Sequence, residues 1–380
     1  MNPLSGLYGG VAQLRRSWYE RVPSRARSLT QPVVSVGNLV VGGSGKTPVV
    51  AALARLLLER GERPAILSRG YGRRTHDDGV VVVSDGERVL EPVERSGDEP
   101  QMLARTLPGV PVIVSSDRYL GGTLAERRFG CTVHLLDDGY QHLQLHRDID
   151  LLLVSPSDLD ERVLPSGRLR EPIGAAHAAD ALLVTGTEDE AQEVGATLGK
   201  TIVFRVVARF GDARTIHPHG DGGAGPCGPA GGGKRVVAVA GIARPERFFA
   251  AARAEGWEVV RELLYRDHHW FDAADVQRIN EVATSEGAEV ILTTEKDAMR
   301  LDGGPQGSAP HVAGGPVWAY LPMDVAVEPA AEFAAWLASR LDAARTSHDA
   351  ARTRDDAAWT RDDAGRTRDA AGRTFTVRRS

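Results

Sequence analysis

The fold is decided by VVSVGNLVVGGSGKTPVVAALARLLLERG, residues 33–61. This stretch contains a β-branched run at Val33–Val36 that predicts a buried strand, then a glycine-rich loop, then an apolar period over Val49–Arg60 that predicts a helix. A strand, a glycine loop and a helix around Gly-Lys-Thr form the context of a P-loop. Backbone N–H groups and the helix N-terminus hold phosphate oxygens in such loops, so the stretch predicts a nucleotide site.

The glycine loop departs from the usual P-loop pattern at one position. The pattern G-x-x-x-x-G-K-[ST] requires a glycine at position 40, where this chain has Val40. We expect Gly42 and Gly43 to supply the unusual backbone angles instead. In a P-loop the lysine reaches the β- and γ-phosphates, and the hydroxyl of the next residue ligates Mg²⁺. The predicted ATP-binding residues are Gly42, Gly43, Ser44, Gly45, Lys46 and Thr47.

Composition restricts the classes of function. The chain has 380 residues, of which 42% are hydrophobic and 26% charged, and this fits a globular protein of two domains. A net charge of −5 gives no general reason to expect binding to nucleic acid. Cys131 and Cys227 are too few and too far apart to predict a disulfide framework or a cysteine metal site. No apolar run approaches the roughly 20 residues that span a bilayer.

Short apolar runs alternate with helical patterns in two blocks. This alternation predicts an α/β fold with mostly parallel sheets covered by helices on both faces. We assign residues 29–207 to a P-loop domain and residues 235–342, including a helix at Pro329–Leu341, to a smaller α/β domain. The segment 208–234 is rich in Gly and Pro and is predicted to be a linker.

The two ends of the chain have different compositions from these blocks. Within residues 1–28, apolar residues from Leu7 to Trp18 fall at helical spacing among several arginines. A helix of this kind suits a membrane surface with anionic lipids, although its apolar face could also pack on its own domain. Residues 343–380 nearly repeat every seven residues without the two apolar positions of a coiled coil, so we predict a disordered tail.

Polar side chains follow several predicted strands. Asp137 and Asp138 come after an apolar run, where a P-loop protein places the acid that holds the metal ion, and the sequence does not decide which of the two contacts it. Arginines or acids follow other strands as well. Binding clefts of open α/β sheets lie at those strand ends, so a cleft for anionic ligands is predicted. Its candidate ligand-binding residues are Tyr71, Arg118, Arg168 and Arg170.

Nine motifs of this chain resemble those of the tetraacyldisaccharide 4′-kinase family, the lipid A kinases, and they occur in the same order as in that family. They are SVGNLVVGGSGKTP, LSRGYGR, GDEPQMLA, DRYLGG, LDDGYQHLQLHRDIDLLLV, LPSGRLREP, GIARPERFF, DHHWF and TTEKDAMRL. The resemblance covers about residues 3–341, and this family also has a non-glycine residue at the position of Val40. The linker segment and the tail lie outside the family pattern.

The resemblance implies a reaction and a site. The family transfers the γ-phosphate of ATP, with Mg²⁺, to the 4′-hydroxyl of tetraacyldisaccharide 1-phosphate at the cytosolic face of the inner membrane. Its fold has two α/β/α domains joined by a short two-stranded β linker, with the active site between them. The motifs GDEP and DHHWF carry over the catalytic pair, which is Asp98 as the base and His268 as its partner, although His269 is adjacent.

The resemblance also implies the partners of the protein. The arginines at 118, 168 and 170 become candidates for the lipid's 1-phosphate. The N-terminal helix becomes a membrane-surface anchor. Neither nucleic acid nor an obligatory protein partner is expected.

Two other functions compete with this interpretation. A P-loop GTPase or regulatory ATPase is suggested by TTEKD, which resembles the guanine-reading N-K-x-D through Lys296 and Asp297. Glu295 stands where that motif has asparagine, which removes the amide that contacts the base. A membrane adaptor that only binds nucleotide is the second rival, and the retained lysine and acids of the site weigh against it.

Overall fold

A nine-stranded sheet forms the centre of the first domain in the computed structural model. The structure describes residues 3–43, 45–75, 79–216, 233–302 and 315–351 with side chains, and the backbone of 352–358, 360–361, 366–368 and 374–376. The strands of this sheet are β1 (Val33–Gly37), β2 (Pro64–Ser68), β3 (Val80–Asp85), β4 (Pro111–Ser115), β5 (Val133–Asp137), β6 (Ile149–Val154), β7 (Ala181–Thr185), β8 (Val203–Phe210) and β14 (Met323–Glu328).

The order of strands places β1 at the centre of the sheet. Along the sheet the order is β14-β8-β7-β6-β1-β5-β2-β4-β3, and the edge strands β14 and β3 are antiparallel to their neighbours. Every residue of β1, β5 and β6 is buried, because helices cover both faces of the sheet. The sequence of these strands is therefore continuously apolar rather than alternating, and the predicted α/β class is confirmed.

Ten α-helices are described in the chain. They are α1 (Pro3–Glu20), α2 (Lys46–Glu59), α3 (Val93–Ser96), α4 (Asp98–Thr106), α5 (Arg118–Phe129), α6 (Glu188–Leu198), α7 (Pro245–Ala254), α8 (Ala273–Ser285), α9 (Glu295–Asp302) and α10 (Ala330–Ala358). Helices α2, α4 and α10 cover one face of the large sheet, and α5 and α6 cover the other. Short 3-10 helices occupy Pro23–Arg25, Pro156–Asp158 and Ile173–Ala178.

A second domain is built on a sheet of five strands. They are β9 (Arg214–Thr215), β10 (Arg235–Ala240), β11 (Glu258–Leu264), β12 (Val290–Thr294) and β13 (Val317–Leu321), in the order β11-β10-β12-β13-β9. All pairings are parallel except that of the short β9 with β13. Helix α7 packs on one side and α8 on the other. The remaining strands β15 (Thr360–Arg361), β16 (Arg366–Arg368) and β17 (Thr374–Thr376) form a separate antiparallel sheet.

The chain returns to the first domain after β13. The sequence prediction extends the second domain to residue 342 and places the helix Pro329–Leu341 there. Instead, β14 pairs along β8, and Phe333 and Leu337 of α10 pack into the core of the first domain. The prediction is wrong because an apolar stripe shows that a helix is buried without showing which of two sheets it covers. The antiparallel pair β8–β14 carries the chain out to the second domain and back.

Two other boundaries also differ from the prediction. Helix α10 continues to Ala358, and Arg345 Nη2 lies 2.7 Å from Glu62 Oε1 of the first domain. The prediction of disorder from residue 343 is therefore wrong for this segment. The described start of the predicted linker 208–234 belongs to β8 and β9, whereas residues 217–232 lie outside the described part of the chain.

Sheet topology creates the crevice where the site lies. The neighbours of β1 are β5 on one side and β6 on the other, so the strand order reverses at β1 and leaves a crevice at the carboxyl ends of the strands. The P-loop follows β1 and the two aspartates end β5 at this crevice. Helix α9 follows β12 of the second domain and packs against α4, through Met299 and Met102 among others.

Candidate active site

A cavity of about 1120 Å³ lies between the two domains. Its walls come from the P-loop, from the ends of strands in both sheets and from helix α1. Residues that line it include Tyr8, Lys46, Asp137, Asp138, Arg244 and His268. The volume exceeds the usual range for a single small ligand, about 300–1,000 Å³, so the cavity has room for a nucleotide and part of a second substrate.

The P-loop geometry explains why position 40 need not be glycine. Val40 is 1% exposed and forms a bridge with Leu169, so its side chain belongs to the core beneath the loop. The left-handed backbone angles occur at Gly42, with φ of +98°, and at Gly45, with φ of +86°. These angles favour glycine, as the sequence predicts for Gly42. Ser44, which we also assign to ATP binding, lies outside the described residues.

Lys46 is held by side chains at the crevice. Its Nζ lies 2.8 Å from Asn38 Oδ1 and 3.3 Å from Asp138 Oδ1. Arg170 donates to the other oxygen of Asp138 at 2.8 Å. Burial alone would raise the pKa of Asp138, but the charges of Lys46 and Arg170 outweigh it and lower that pKa. Two cations therefore keep this carboxylate ionised beside the phosphate loop.

The neighbouring carboxylate has the opposite electrostatic environment. Asp137 is 2% exposed, and burial together with the charges of Glu99 and Asp138 raises its pKa to about 8. A buried group of acids with too few cations is the environment that a divalent cation neutralises. Thr47 lies at the same end of the cavity with a buried hydroxyl. These hard oxygen donors fit Mg²⁺, which the two aspartates and Thr47 would hold.

Asp98 and His268 meet although they come from different domains. Asp98 begins α4, and His268 Nδ1 lies 3.0 Å from Asp98 Oδ2. The neighbouring His269 instead contacts Asp275 Oδ2 at 2.7 Å. His268 has a left-handed backbone conformation, with φ of +59°. Its ring faces Asp98 of the first domain, whereas the ring of His269 faces Asp275 of the second domain. The structure thus pairs Asp98 with the first of the two adjacent histidines.

Two cations from α9 complete the surroundings of Asp98. Arg300 donates through Nε at 3.1 Å and also through Nη2, and its side chain is 1% exposed. Lys296 Nζ lies 3.8 Å from Asp98 Oδ2, 3.1 Å from Glu99 Oε1 and 3.3 Å from His268 Nε2. Burial would raise the pKa of Asp98, but the hydrogen bond from His268 and the two cations place it well below its usual range.

Burial distinguishes the two members of this pair. Asp98 is 3% exposed, whereas the side chain of His268 is 18% exposed and lines the cavity. The Tyr71 ring lies against His268, with 5.0 Å between ring centroids. The histidine is therefore the member of the pair that an incoming substrate reaches first.

The side chains that resemble a guanine-reading motif are engaged elsewhere. Asp297 is fully buried and accepts hydrogen bonds from Gly241 N at 2.9 Å and from the Thr294 hydroxyl at 2.7 Å. It also contacts Arg300 at 3.0 Å. Asp297 thus anchors Arg300, and Lys296 contacts the acids at the start of α4. This arrangement does not support the interpretation of TTEKD as a base-binding motif.

The predicted ligand-binding arginines do not form one group. Arg170 and Tyr71 line the cavity, whereas neither Arg118 nor Arg168 does so among the described residues. Arg168 is 2.7 Å from Glu161 on the far side of its loop. Arg118 is 4% exposed, and burial together with the nearby Arg69 lowers its pKa to about 10. Arg69, which follows β2 in the sequence but was not assigned to ligand binding, also lines the cavity.

Helix α1 is attached to the loop that carries Arg170. Arg16 is 3% exposed and makes hydrogen bonds of 2.7 and 2.8 Å to the two oxygens of Glu171. It also lies over the Tyr140 ring, at 4.5 Å from the centroid. Gly9 allows the close approach, since a Cβ there would sit 3.4 Å from Pro172. The polar and small residues of α1 thus face the protein.

Comparisons with known proteins agree with this geometry. The chain matches the family model Tetraacyldisaccharide-1-P 4'-kinase over residues 1–342. The chain belongs to this kinase family. Two curated relatives are the tetraacyldisaccharide 4′-kinases of Koribacter versatilis, 41% identical over 307 residues (79% of this chain and 88% of the relative), and of Geobacter sulfurreducens, 42% identical over 299 residues (78% and 82%).

A solved structure of the kinase family shares the fold. The LpxK of Aquifex aeolicus, solved in complex with ATP, aligns with a TM-score of 0.71 and 32% identity over 89% of this chain and 98% of that chain. The family and the P-loop kinase fold predicted from the motifs are thus confirmed.

Some residues at the site of this kinase were not singled out from the sequence. Arg300 was missed, and Lys296 and Asp297 were considered only for a GTPase. The sequence feature that could have pointed to these residues is the run of charges directly after the apolar strand β12. Residues three and four apart on a helix share one face, so these charges can act together. Ala243 lies against the P-loop, 3.4 Å from where a Gly42 Cβ would be.

Proposed function

We propose that this chain transfers the γ-phosphate of ATP to the 4′-hydroxyl of tetraacyldisaccharide 1-phosphate within the cavity between its domains. The observation that carries the proposal is the pair Asp98–His268, which is assembled from two domains beside the P-loop. A P-loop alone would serve a hydrolase or a switch equally well. A buried acid and a cavity-facing histidine beside it supply what an alcohol acceptor needs in addition, which is a group that takes its proton.

The nucleotide belongs at the P-loop end of the cavity. Gly42, Gly43, Gly45 and Lys46 would hold the phosphates of ATP, with Ser44 assigned there from the sequence. Thr47, Asp137 and Asp138 would hold Mg²⁺, which neutralises charge that develops on the phosphates during transfer. Lys46 would exchange its contact with Asp138 for phosphate oxygens, since its Nζ already lies at the mouth of the loop.

We assign the two members of the catalytic pair on their exposure. The resemblance suggests Asp98 as the base. In this structure, however, Asp98 is buried behind His268 and its pKa is well below the usual range, so it is a weak proton acceptor. His268 lines the cavity and has Nδ1 fixed on Asp98. The hydroxyl proton would pass to Nε2 of the imidazole after Lys296, whose Nζ lies 3.3 Å from that nitrogen, gives up the contact, and Asp98 would orient the ring through Nδ1 and stabilise the imidazolium.

The cations at the other end of the crevice suit an anionic substrate. Arg69 and the buried Arg118 lie close enough for each charge to affect the other. Two neighbouring cations are stabilised when a phosphate binds between or beside them. We assign Arg69 and Arg170, which line the cavity, to phosphate groups of the two substrates, with Tyr71 beside the acceptor sugar. The buried Arg118 would act on a phosphate only through its charge behind Arg69. Arg168 is the least suited of the predicted arginines to bind a phosphate, because it already forms an ion pair with Glu161.

Helix α1 would place the kinase on a membrane surface. Its residues Leu4, Leu7, Val11, Leu14 and Trp18 are each between 50% and 73% exposed, so the apolar face is not packed on its own domain. Among the described residues, no helix is long and apolar enough to cross a membrane. Several arginines border the apolar face, and that combination binds anionic bilayers. We propose peripheral attachment at the cytoplasmic face of the inner membrane, where an acylated substrate lies.

The test measures phosphate transfer from γ-labelled ATP with Mg²⁺ to tetraacyldisaccharide 1-phosphate in mixed micelles. Wild type should yield labelled lipid, and His268→Ala should yield at least about a hundredfold less per unit time. His269→Ala is the matched control, because this adjacent histidine contacts Asp275 and not Asp98. ATP hydrolysis without labelled lipid, or equal losses in both histidine variants, would count against the proposal.

A further inference from the structure

A cluster of two histidines and one aspartate lies away from the cavity. His146 and Asp148 belong to the connection between β5 and β6 in the first domain, and His348 belongs to α10. The kinase family match ends at residue 342, so His348 lies in a segment beyond the matched part of the chain. The catalytic function described above does not involve these three side chains.

The ligand-type atoms of the three side chains converge. His348 Nε2 lies 2.8 Å and His146 Nε2 3.5 Å from Asp148 Oδ1, and one ligand atom from each residue lies within 4.8 Å of the others. Tetrahedral zinc sites place their nitrogen and oxygen ligands about 3.3 Å apart, because each lies about 2.0–2.1 Å from the metal. Small side-chain rotations are enough to bring the observed atoms to that spacing.

Hydrogen bonds around the cluster orient its ligand atoms. His348 Nδ1 lies 3.2 Å from the carbonyl oxygen of Thr30, which holds the ring with Nε2 directed at Asp148. Asp148 Oδ2 accepts from Val33 N at 2.8 Å, which leaves Oδ1 directed at the imidazoles. A backbone carbonyl behind the distal ring nitrogen is the usual support of a metal-binding histidine.

The charge of the cluster also suits a cation. The Asp148 side chain is 6% exposed, and its Oδ1 faces both imidazoles, so a metal ion among the three side chains would meet a carboxylate that is largely shielded from water.

We propose that His146, Asp148 and His348 form a site for one divalent transition-metal ion of the Zn²⁺ type, which clamps the end of α10 to the first domain. Two imidazole nitrogens and one carboxylate oxygen favour Zn²⁺ over Mg²⁺ or Ca²⁺, which prefer all-oxygen sites. The His146 side chain is 46% exposed, so ions reach the cluster from solvent and water fills the remaining coordination position.

The test is equilibrium dialysis of the metal-free full-length chain against Zn²⁺, with excess Mg²⁺ present to occupy the oxygen site of the cavity. Wild type should bind one more Zn²⁺ than His348→Ala, or bind it at least about tenfold more tightly, since even supporting residues of metal sites contribute that much. His146→Ala should show the same loss, and its exposed side chain makes a folding defect unimportant. His177→Ala is the matched control, because this histidine is 67% exposed and its ring lies beside Gly174 O and Glu20 rather than beside the cluster.

A second readout reports on the clamp itself. Zn²⁺ should slow proteolysis within residues 343–358 in wild type and in His177→Ala, but not in His146→Ala. Equal Zn²⁺ uptake and equal proteolysis in wild type, His348→Ala and His146→Ala would overturn the proposal, as would a wild type that binds no Zn²⁺. Neither readout depends on kinase activity.

Discussion

Replacing Asp98 with asparagine removes one negative charge from the buried cluster that joins the two domains. The amide keeps the shape of the side chain and one accepting oxygen, but it cannot stabilise an imidazolium on His268, which lies 3.0 Å away. We expect kcat to fall by about 10²–10⁴, the scale of a positioned acid–base group. The affinity for ATP should change by less than about threefold, because Asp98 does not line the cavity.

The same Asp98→Asn substitution should also lower the free energy of unfolding, by less than the loss of a whole buried ion pair would. Removing one partner of a buried ion pair costs about 3–5 kcal/mol when the remaining charge is left alone. Arg300 would keep Asp297 at 3.0 Å and could still donate to the amide oxygen, so we expect a loss of about 1–3 kcal/mol. Denaturant unfolding monitored at several pH values measures this difference.

The pH dependence of that stability difference has a definite sign. The pKa of Asp98 is lowered on folding, so the carboxylate contributes stability above its unfolded pKa of about 3.9, and this contribution is lost as the pH falls toward the folded pKa. Wild type should therefore be more stable than Asp98→Asn above about pH 5, and the difference should shrink progressively as the pH falls below about 4 toward the folded pKa.

The assay follows labelled-lipid formation and ATP binding in parallel. Asp275→Asn is the matched control, because it removes the equivalent charge beside His269. It should leave kcat within about threefold of wild type. An unchanged kcat in Asp98→Asn would refute the assignment of the pair, and a collapse of ATP binding would instead move Asp98 to the nucleotide site.

Three further predictions concern other parts of the chain. Lys46→Ala should reduce kcat by at least about 10², measured by labelled-lipid formation, because the phosphates lose their cation; near-normal turnover would contradict the P-loop assignment. Leu7→Ser with Leu14→Ser should weaken flotation with anionic vesicles by about tenfold or more, since each exposed leucine contributes roughly 1.5–3 kcal/mol on burial; binding equal to wild type would contradict the membrane surface. Removing residues 343–380 should lower the melting temperature by several degrees while turnover stays within about threefold, because Arg345–Glu62 is lost and the cavity is untouched; a large loss of turnover would show a catalytic role for the tail.

Local sequence patterns were sufficient to predict the phosphate loop, the strands and the paired acids of the site. The P-loop, the paired acids after β5 and the strand–helix alternation are encoded in contiguous residues, because strand burial and loop chemistry depend on neighbours in the chain. The exception at Val40 has a tertiary cause instead, since this residue is buried and forms a β-bridge with the distant Leu169. The amphipathic character of α1 was also readable from its periodicity.

Other features depended on which distant segments come together. The sequence could not show that α10 covers the first domain, that Arg168 is occupied by Glu161, or that Arg69 and not Arg118 reaches the cavity. Each of these depends on which side chains meet in the folded chain, across seven residues for Arg168 and Glu161 and across separate segments for the others, and periodicity carries no signal for such contacts. The contact between His348 and Asp148 is a further example, because these residues are 200 positions apart and no local motif predicts that they meet.

The amino-acid sequence by itself determined the nucleotide loop, because phosphate binding is encoded in one short run of glycines, lysine and threonine. It determined the family and the reaction because nine motifs occur in the family's order. Only the tertiary structure decided how the catalytic pair is arranged. Adjacent histidines are equivalent in sequence, and the left-handed backbone at His268 is what turns one ring to Asp98 and leaves the other on Asp275. The burial of Asp98 behind that ring, which decides which group meets the substrate, exists only once the two domains pack together.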